Sequence, residues 1–294
     1  MSDEPALAMR SVLFAPGDHP RRAEKAFTVG ADAVILDLED AVAPARKAGA
    51  RAAVVERLRA PRAARGYVRI NAVTSQYWQT DIDVTVGPWL EGIVIPKAES
   101  AEQILELDAR IRAREIETGL RPGALELLPL VETALGIVNA RSIAGAVGRI
   151  RRLAFGGADY TLDLDLQWSV EEHELAYARA HLTHASRAAG IEAPIDTVVT
   201  EIRDLDRLRT SARTGRRMGF QGKLCIHPDQ VGPCNEIFTP SEAEVARAMA
   251  IVTAFEAAEA AGSAAIEVEG ALVDYPIVAK ARRVLATAGK AEVL

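Results

Sequence analysis

Short apolar runs alternate along the chain with longer stretches of helical patterning. Eight runs stand out, at 11–15, 33–38, 67–70, 92–96, 125–131, 152–155, 194–198 and 223–226. Short apolar runs of this kind predict strands buried on both faces, and strands that alternate with helices predict a parallel sheet with crossover connections. Eight of them predict an α/β fold, a (β/α)8 TIM barrel. The competitor is an open doubly wound sheet, which wants a glycine-rich dinucleotide turn after its first strand. Here the first run is followed by Pro16-Gly17-Asp18, which is not that fingerprint. The seventh run is short and carries Pro194.

Helix starts punctuate the pattern. Ser100 is placed to cap a helix with Glu102 in its first turn. Ser169-Val170-Glu171-Glu172 has the form of a capping box opening a helix to about Ala189, with Gly190 as its stop. Ser241-Glu242-Ala243-Glu244, after Pro240, opens another. Beyond the eighth unit, residues 264–268 alternate like a strand, Gly270 breaks the run, and Asp274-Tyr275-Pro276 opens a basic helix. This tail is surplus to a barrel. The expected division is therefore a catalytic barrel over 1–262 and a C-terminal extension over 263–294, serving as a lid or as an arm reaching a neighbouring subunit.

Composition narrows the picture. With 294 residues, 49% of them hydrophobic, the chain has ample material for a large core. A net charge of -6 gives no electrostatic reason to expect nucleic acid as a partner. The densest basic cluster, Arg149-Ile150-Arg151-Arg152, precedes the sixth run and so falls at the barrel's N-terminal end. Of the two cysteines, Cys225 lies within an apolar run and reads as a buried free thiol. No run approaches the roughly 20 apolar residues of a membrane span. The start Met1-Ser2-Asp3-Glu4-Pro5 lacks a leader pattern, so a cytoplasmic location is the default expectation.

In a parallel barrel the catalytic groups come from the C-terminal ends of the strands. Glu132 follows the fifth run and Asp159 follows the sixth. Two carboxylates converging there form a candidate divalent-metal site, since Mg2+ takes one or two protein carboxylates and keeps several waters. Their alternative role is helix capping, for which Thr133 and Thr161 also compete. The second run ends Asp37-Leu38-Glu39-Asp40, and three acids so close are costly unless a cation is near. They read either as a solvated, capping loop or, for Glu39 and Asp40, as acids supporting the metal site from behind. In the third run Arg69 faces opposite to Val68 and Ile70. A guanidinium at the mouth binds a carboxylate by its fork, or pairs with the acids of the second strand. Lys97 and Lys223 lie at or in strands, and an ion pair is the expected role of Lys97. No His/Cys set has zinc spacing. His173, His181 and His184 are expected on the surface or in packing, and His227 is expected to shape a loop.

Several blocks together resemble the citrate lyase β-subunit-like proteins of the HpcH/HpaI aldolase superfamily. They are Arg10-Ser11-Val12-Leu13-Phe14-Ala15-Pro16-Gly17-Asp18, the stretch from Gly30 to Val42 containing Asp37-Leu38-Glu39-Asp40, Val68-Arg69-Ile70-Asn71, Pro129-Leu130-Val131-Glu132-Thr133-Ala134, Phe155-Gly156-Gly157-Ala158-Asp159, and Gly222-Lys223-Leu224-Cys225-Ile226-His227-Pro228. The resemblance implies a TIM barrel, a bound Mg2+, and reversible carbon–carbon cleavage of citryl-, malyl-, methylmalyl- or citramalyl-thioesters into an acyl-CoA and a 2-oxo acid. It implies Glu132 and Asp159 as metal ligands, with Glu132 also at the substrate. It implies Arg69 on the 2-oxo acid carboxylate or the enolate oxygen. The segment from Gly270 to Pro276 resembles the family's C-terminal segment, which makes Asp274 the acid/base, acting across a subunit boundary in a homo-oligomer, expected to be a trimer. Arg21, Arg22 and Lys25 would lie near the CoA phosphates. The β subunit of citrate lyase works with an acyl-carrier subunit, whereas a free-standing chain with the Asp274 tail resembles a stand-alone CoA lyase. The other activities to weigh are a metal-dependent aldolase acting on free hydroxy-oxo acids, a malyl-CoA thioester hydrolase, and a binding protein that kept the fold.

Overall fold

The computed structural model describes residues 9–289, so the Met1-Ser2-Asp3-Glu4-Pro5 segment lies outside the described residues. Eight parallel strands close into a barrel in chain order. They are β1 (Ser11–Pro16), β2 (Ala33–Asp37), β3 (Arg65–Arg69), β4 (Gly92–Ile95), β5 (Glu126–Val131), β6 (Ala154–Phe155), β7 (Ile195–Asp196) and β8 (Gly222–Cys225). The surrounding helices are α1 (Pro20–Ala26), α2 (Lys47–Arg59), α3 (Trp78–Thr85), α4 (Ala101–Glu117), α5 (Ala134–Ala144), α6 (Gly157–Asp163), α7 (Ala176–Ala189) and α8 (Leu205–Arg217), followed by α9 (Val231–Phe238). The barrel closes where β8 pairs with β1, Val12 opposite Leu224.

All eight runs become strands, with β6 and β7 reduced to two residues each. Period-two alternation fills the barrel. Val12, Ala33, Ile35, Tyr67, Val94, Leu128, Leu130, Ala154, Ile195 and Leu224 form its buried interior. Burying each large side chain contributes about 1.5–3 kcal/mol. The same alternation decides what stands above that layer. Two positions beyond Ile35, Tyr67 and Leu130 are Asp37, Arg69 and Glu132, so the inward stripes of three strands end in charge.

The helix starts divide. Ser100 caps α4 as expected, with Gln103 rather than an acid completing the box. Ser241 opens a helix as expected, and Gly190 ends α7 in the left-handed conformation at φ 73°. The Ser169 reading fails. The Ser169 hydroxyl does accept the Glu172 N–H at 3.1 Å. Glu172, however, is left-handed at φ 57°, and its carboxylate is drawn to Arg179 at 2.7 Å and to the Ser211 hydroxyl at 2.9 Å. A 3-10 turn, His173–Leu175, intervenes, and α7 starts only at Ala176.

The basic cluster before β6 is taken up by structural pairs. Arg149 grips Glu115 with both terminal nitrogens at 2.9 Å, and Arg152 reaches Glu192 at 2.6 Å. Cys225 and Cys234 are buried free thiols.

The chain divides into two compact units, the first ending at Glu236 and the second beginning at Ile237. This boundary falls before the one expected at 262. The reason is that α10 (Glu242–Ala260) shares a core with the tail: Val245, Ala248, Val252 and Phe255 pack with Val273, Val278, Ala281 and Leu285. In that unit, β9 (Ile266–Val268) and β10 (Ala271–Val273) form a hairpin across Glu269 and Gly270, both at positive φ. α11 (Tyr275–Thr287) follows. No helix among the described residues is long and apolar enough to cross a membrane.

Candidate active site

The strand ends surround a cavity of about 430 Å³. One part of its wall is apolar, from Phe14, Pro16, Leu130, Val198, Leu224 and Ile226. The other carries Asp37, Asp40, Arg69, Glu132 and Asp159. A cleft of this size with a few converging polar groups is the usual form of a small-molecule site.

Glu132 is 1% exposed. It does not cap α5, because the Thr133 hydroxyl accepts the Gly136 N–H at 3.0 Å. Its carboxylate is thus left to the cavity and accepts the Lys97 backbone N–H at 2.8 Å. Burial, then the charge of Asp159, pushes the Glu132 carboxyl up to about 8. Asp159 lies in the first turn of α6 and is partly exposed. The loop between the two acids is shaped to receive Glu132. A Cβ on Gly156 would fall 2.3 Å from Glu132 Oε2 and 2.4 Å from Glu132 Cβ. Gly156→Ala is therefore expected to displace the carboxylate and weaken divalent-cation binding at least about tenfold, for an overpacking cost of about 1–3 kcal/mol. A Mn2+ titration with a parallel melt checks this, and an unchanged affinity would mean the cradle is not required.

Arg69 grips Asp37 by its fork, Nε to Oδ1 at 2.7 Å and Nη2 to Oδ2 at 2.6 Å. Its Nη1 stands 3.2 Å from Glu39 and 3.8 Å from the exposed Asp40. Its guanidinium carbon lies 5.0 Å from the centre of the Phe14 ring. The expected ion pair of Arg69 with the second-strand acids is present, and the Nη1 edge, 3.2 Å from Glu39, is the part of the guanidinium not held in the fork to Asp37. Burial alone would raise Asp37. The Arg69 fork and the backbone N–H groups of Glu39 and Ala41 outweigh it and hold Asp37 below its ordinary range. Burial also raises Glu39, and Arg69 and Lys97 only partly offset it. Beneath this loop the buried Lys47 ammonium donates to Leu38 O, Glu39 O and Asn71 Oδ1.

The ion pair expected of Lys97 is present, to Glu39 at 2.8 Å, whereas Asp37 reads from the sequence only as one of a group of acids. Asp37 could have been found from the alternation Ala33, Ile35, Asp37. What the sequence does not signal is how Lys97 is aimed. It sits past the end of β4 at φ 48°, in left-handed backbone that costs a non-glycine residue on the order of 1 kcal/mol. That turn aims its N–H at Glu132, while its ammonium reaches Glu39 at 2.8 Å and stands 4.0 Å from Asp159.

The charges form a chain, Asp37–Arg69–Glu39–Lys97–Asp159, with Glu132 alongside. Five carboxylates, Asp37, Glu39, Asp40, Glu132 and Asp159, share the site with two cations, Arg69 and Lys97, an excess of acid that a divalent cation would offset. Among the described residues there is no cluster of three or more His, Cys, Asp or Glu arranged around a metal. Two carboxylates with open positions instead suit Mg2+, which keeps waters and substrate oxygens in its shell. The raised Glu132, cradled by a glycine, fits such an ion.

Arg21 and Lys25 are exposed on α1 and do not line the cavity. Lys223 is fully buried and donates to Asp196 and the Ser211 hydroxyl at 2.8 Å each, a structural role. The His227 ring caps the following turn. Asp274 lies in the second unit and accepts the Ile277 N–H at 3.3 Å as the cap of α11. Leu272, Tyr275 and Ile277 around it are exposed.

The model of the HpcH/HpaI aldolase/citrate lyase family matches residues 10–228. The chain is 39% identical to a citrate lyase subunit beta-like protein of Deinococcus radiodurans, over 97% of this chain and 99% of that one. It is 34% identical to an L-malyl-CoA/beta-methylmalyl-CoA lyase of Cereibacter sphaeroides, over 94% and 93%. The crystal structure of CitE from Mycobacterium tuberculosis, in complex with magnesium, acetoacetate and coenzyme A, superposes with a TM-score of 0.79 at 31% identity, covering 96% of this chain and 98% of that one.

Proposed function

The chain belongs to the HpcH/HpaI aldolase/citrate lyase family and is a lyase, and from that premise we propose that it is a Mg2+-dependent carbon–carbon lyase acting on a hydroxy-carboxyacyl-CoA. Its substrate is of the malyl-, citramalyl- or citryl-CoA type, and its products are an acyl-CoA and a 2-oxo acid. The observation that carries this reading is the buried Glu132, raised to about 8 beside Asp159, at the mouth of a barrel whose relatives include a CoA-ester lyase and a magnesium- and CoA-bound structure.

Glu132 and Asp159 would hold Mg2+, with Glu39 and Asp40 behind them. The ion supplies Lewis-acid stabilisation of charge on the substrate oxygens. The Nη1 edge of Arg69 takes the 2-oxo acid carboxylate or the enolate oxygen, stabilising the charge that develops there. A base takes the hydroxyl proton, the oxo group forms as the carbon–carbon bond breaks, and the electron pair passes to the thioester as an enolate. Asp274, supplied by a neighbouring subunit of a homotrimer, exchanges the proton with the enolate carbon. The exposed Leu272, Tyr275 and Ile277 around it suit burial against another subunit. Arg21 and Lys25 are exposed cations available to the CoA phosphates.

Asp274→Asn is expected to lower kcat by about 10² or more while the CoA thioester still binds, since general acid–base groups contribute roughly that much. Normal turnover with lost binding would make the tail a substrate clamp. The overall reading is tested with malyl-CoA and citramalyl-CoA, following 2-oxo acid, acyl-CoA and free thiol. A 2-oxo acid and an acyl-CoA in equal amounts support the lyase. Free CoA with the intact hydroxy acid would instead identify a thioester hydrolase, and cleavage of CoA-free hydroxy-oxo acids alone would identify an aldolase.

A further inference from the structure

Lys97 is the one basic side chain within 4.0 Å of Asp159 among the described residues. The other cation of the site is committed: Arg69 spends its fork on Asp37. Lys97 is not packed away as Lys223 is. Its side chain is 37% exposed, and among the described residues its ammonium makes a single hydrogen bond, to Glu39. It can therefore move without breaking into the core. Its backbone cannot move so freely, because the Lys97 N–H is bonded to Glu132 and the next residue, Ala98, donates to Leu130 O at 3.1 Å. The result is a charged group on a fixed stalk beside the acid pair.

We propose that Lys97 is a tethered counter-cation that competes with the divalent ion: its ammonium neutralises Asp159 and Glu39 when no ion is bound, and withdraws from Asp159 when one enters. This rests on the reading of Glu132 and Asp159 as cation ligands. The physical reason is charge balance. Without Lys97, Arg69 alone remains against the acids of the site, and it is already paired with Asp37, Glu39 and Asp40. With Lys97 in place, an incoming dication meets a like charge a few ångströms from one of its ligands and must displace it. Lys97 thus lowers the affinity of the cation site while keeping its acids in position.

The test is a calorimetric titration of Mn2+ into the full-length, EDTA-stripped enzyme, with thermal melts alongside. Lys97→Met removes the charge and keeps the length. Lys97→Gly removes the side chain and takes up the left-handed backbone without strain. Lys97→Arg keeps the charge. The expected result is that Mn2+ binds about tenfold tighter to Lys97→Met and Lys97→Gly, and within about threefold of wild type to Lys97→Arg; the pair interaction is discounted because the ammonium is partly solvated. Unchanged or weaker binding in both neutral variants, with wild-type binding intact, overturns the counter-cation role alone. If Mn2+ does not bind the wild type, the cation site itself falls, and this role with it.

Discussion

Glu132→Gln is expected to abolish metal-dependent turnover while making the metal-free protein more stable at alkaline pH. The loss should be about 10³-fold or more, because several kcal/mol of charge stabilisation depend on the ion. The gain in stability follows from linkage. Glu132 is raised from an ordinary 4.5 to about 8 by burial and by Asp159. The folded metal-free state therefore holds a proton that the unfolded chain releases. The stability this contributes is complete below about pH 4.5 and is lost as the pH rises through about 8. Glutamine is neutral throughout and escapes that loss, which is on the order of a few kcal/mol. Metal-free Glu132→Gln should thus melt several degrees above metal-free wild type at pH 9, and the gap should close towards pH 5. Mg2+ should raise the melting temperature of the wild type and not of the variant. Equal melting curves across that range would show that Glu132 is not held at a cost in the metal-free fold.

Arg69→Met should be destabilising as well as inactivating. Asp37 is 2% exposed and relies on the Arg69 fork for its charge. Removing one partner of a buried pair costs about 3–5 kcal/mol, because the other is left buried and unpaired. For a chain of this size the melting temperature should fall by roughly 10 °C. The pH dependence runs opposite to that of Glu132. Asp37 is held below its ordinary range, so its contribution is present above about pH 3.8 and is lost as the pH falls through its folded value. In Arg69→Met that contribution is missing at neutral pH. Arg69→Lys should recover part of the stability, since it restores the charge without the fork. Wild-type stability in Arg69→Met would contradict the pairing.

The barrel was legible because its strands are largely buried on both faces, so each reads as a short, mostly apolar run between helical stretches. The short β6 and β7 were still recognisable, since Leu153 and Phe155, like Ile195 and Val198, are apolar whether or not they hydrogen-bond as strand. Glu132 and Asp159 were legible as the first acids beyond two such runs. Asp37 was visible as one of a cluster, but its inward direction needed the alternation to be carried one step past Ile35. Lys97 was legible as an ion-pair partner, but its place beside Glu132 and Asp159 was not. Its role depends on a left-handed backbone, and a lysine does not announce one as a glycine does. The Ser169 capping pattern misled because Glu172, its local partner, has a stronger buried partner in Arg179, seven residues on. The C-terminal unit was only half visible. Its helices followed the apolar pattern, but β10 depends on the Glu269-Gly270 turn, and sequence order did not reveal that α10 shares its core.

The most direct measurement takes whichever of malyl-CoA and citramalyl-CoA the enzyme cleaves, strips the enzyme with EDTA, and titrates Mg2+ back into wild type and Asp159→Asn. Wild-type cleavage should vanish on stripping and return saturably, while Asp159→Asn should need far more Mg2+ or stay inactive. Full-rate cleavage by the stripped wild type, or recovery of Asp159→Asn at the same Mg2+ concentration, would contradict a cation held by the two strand-end acids.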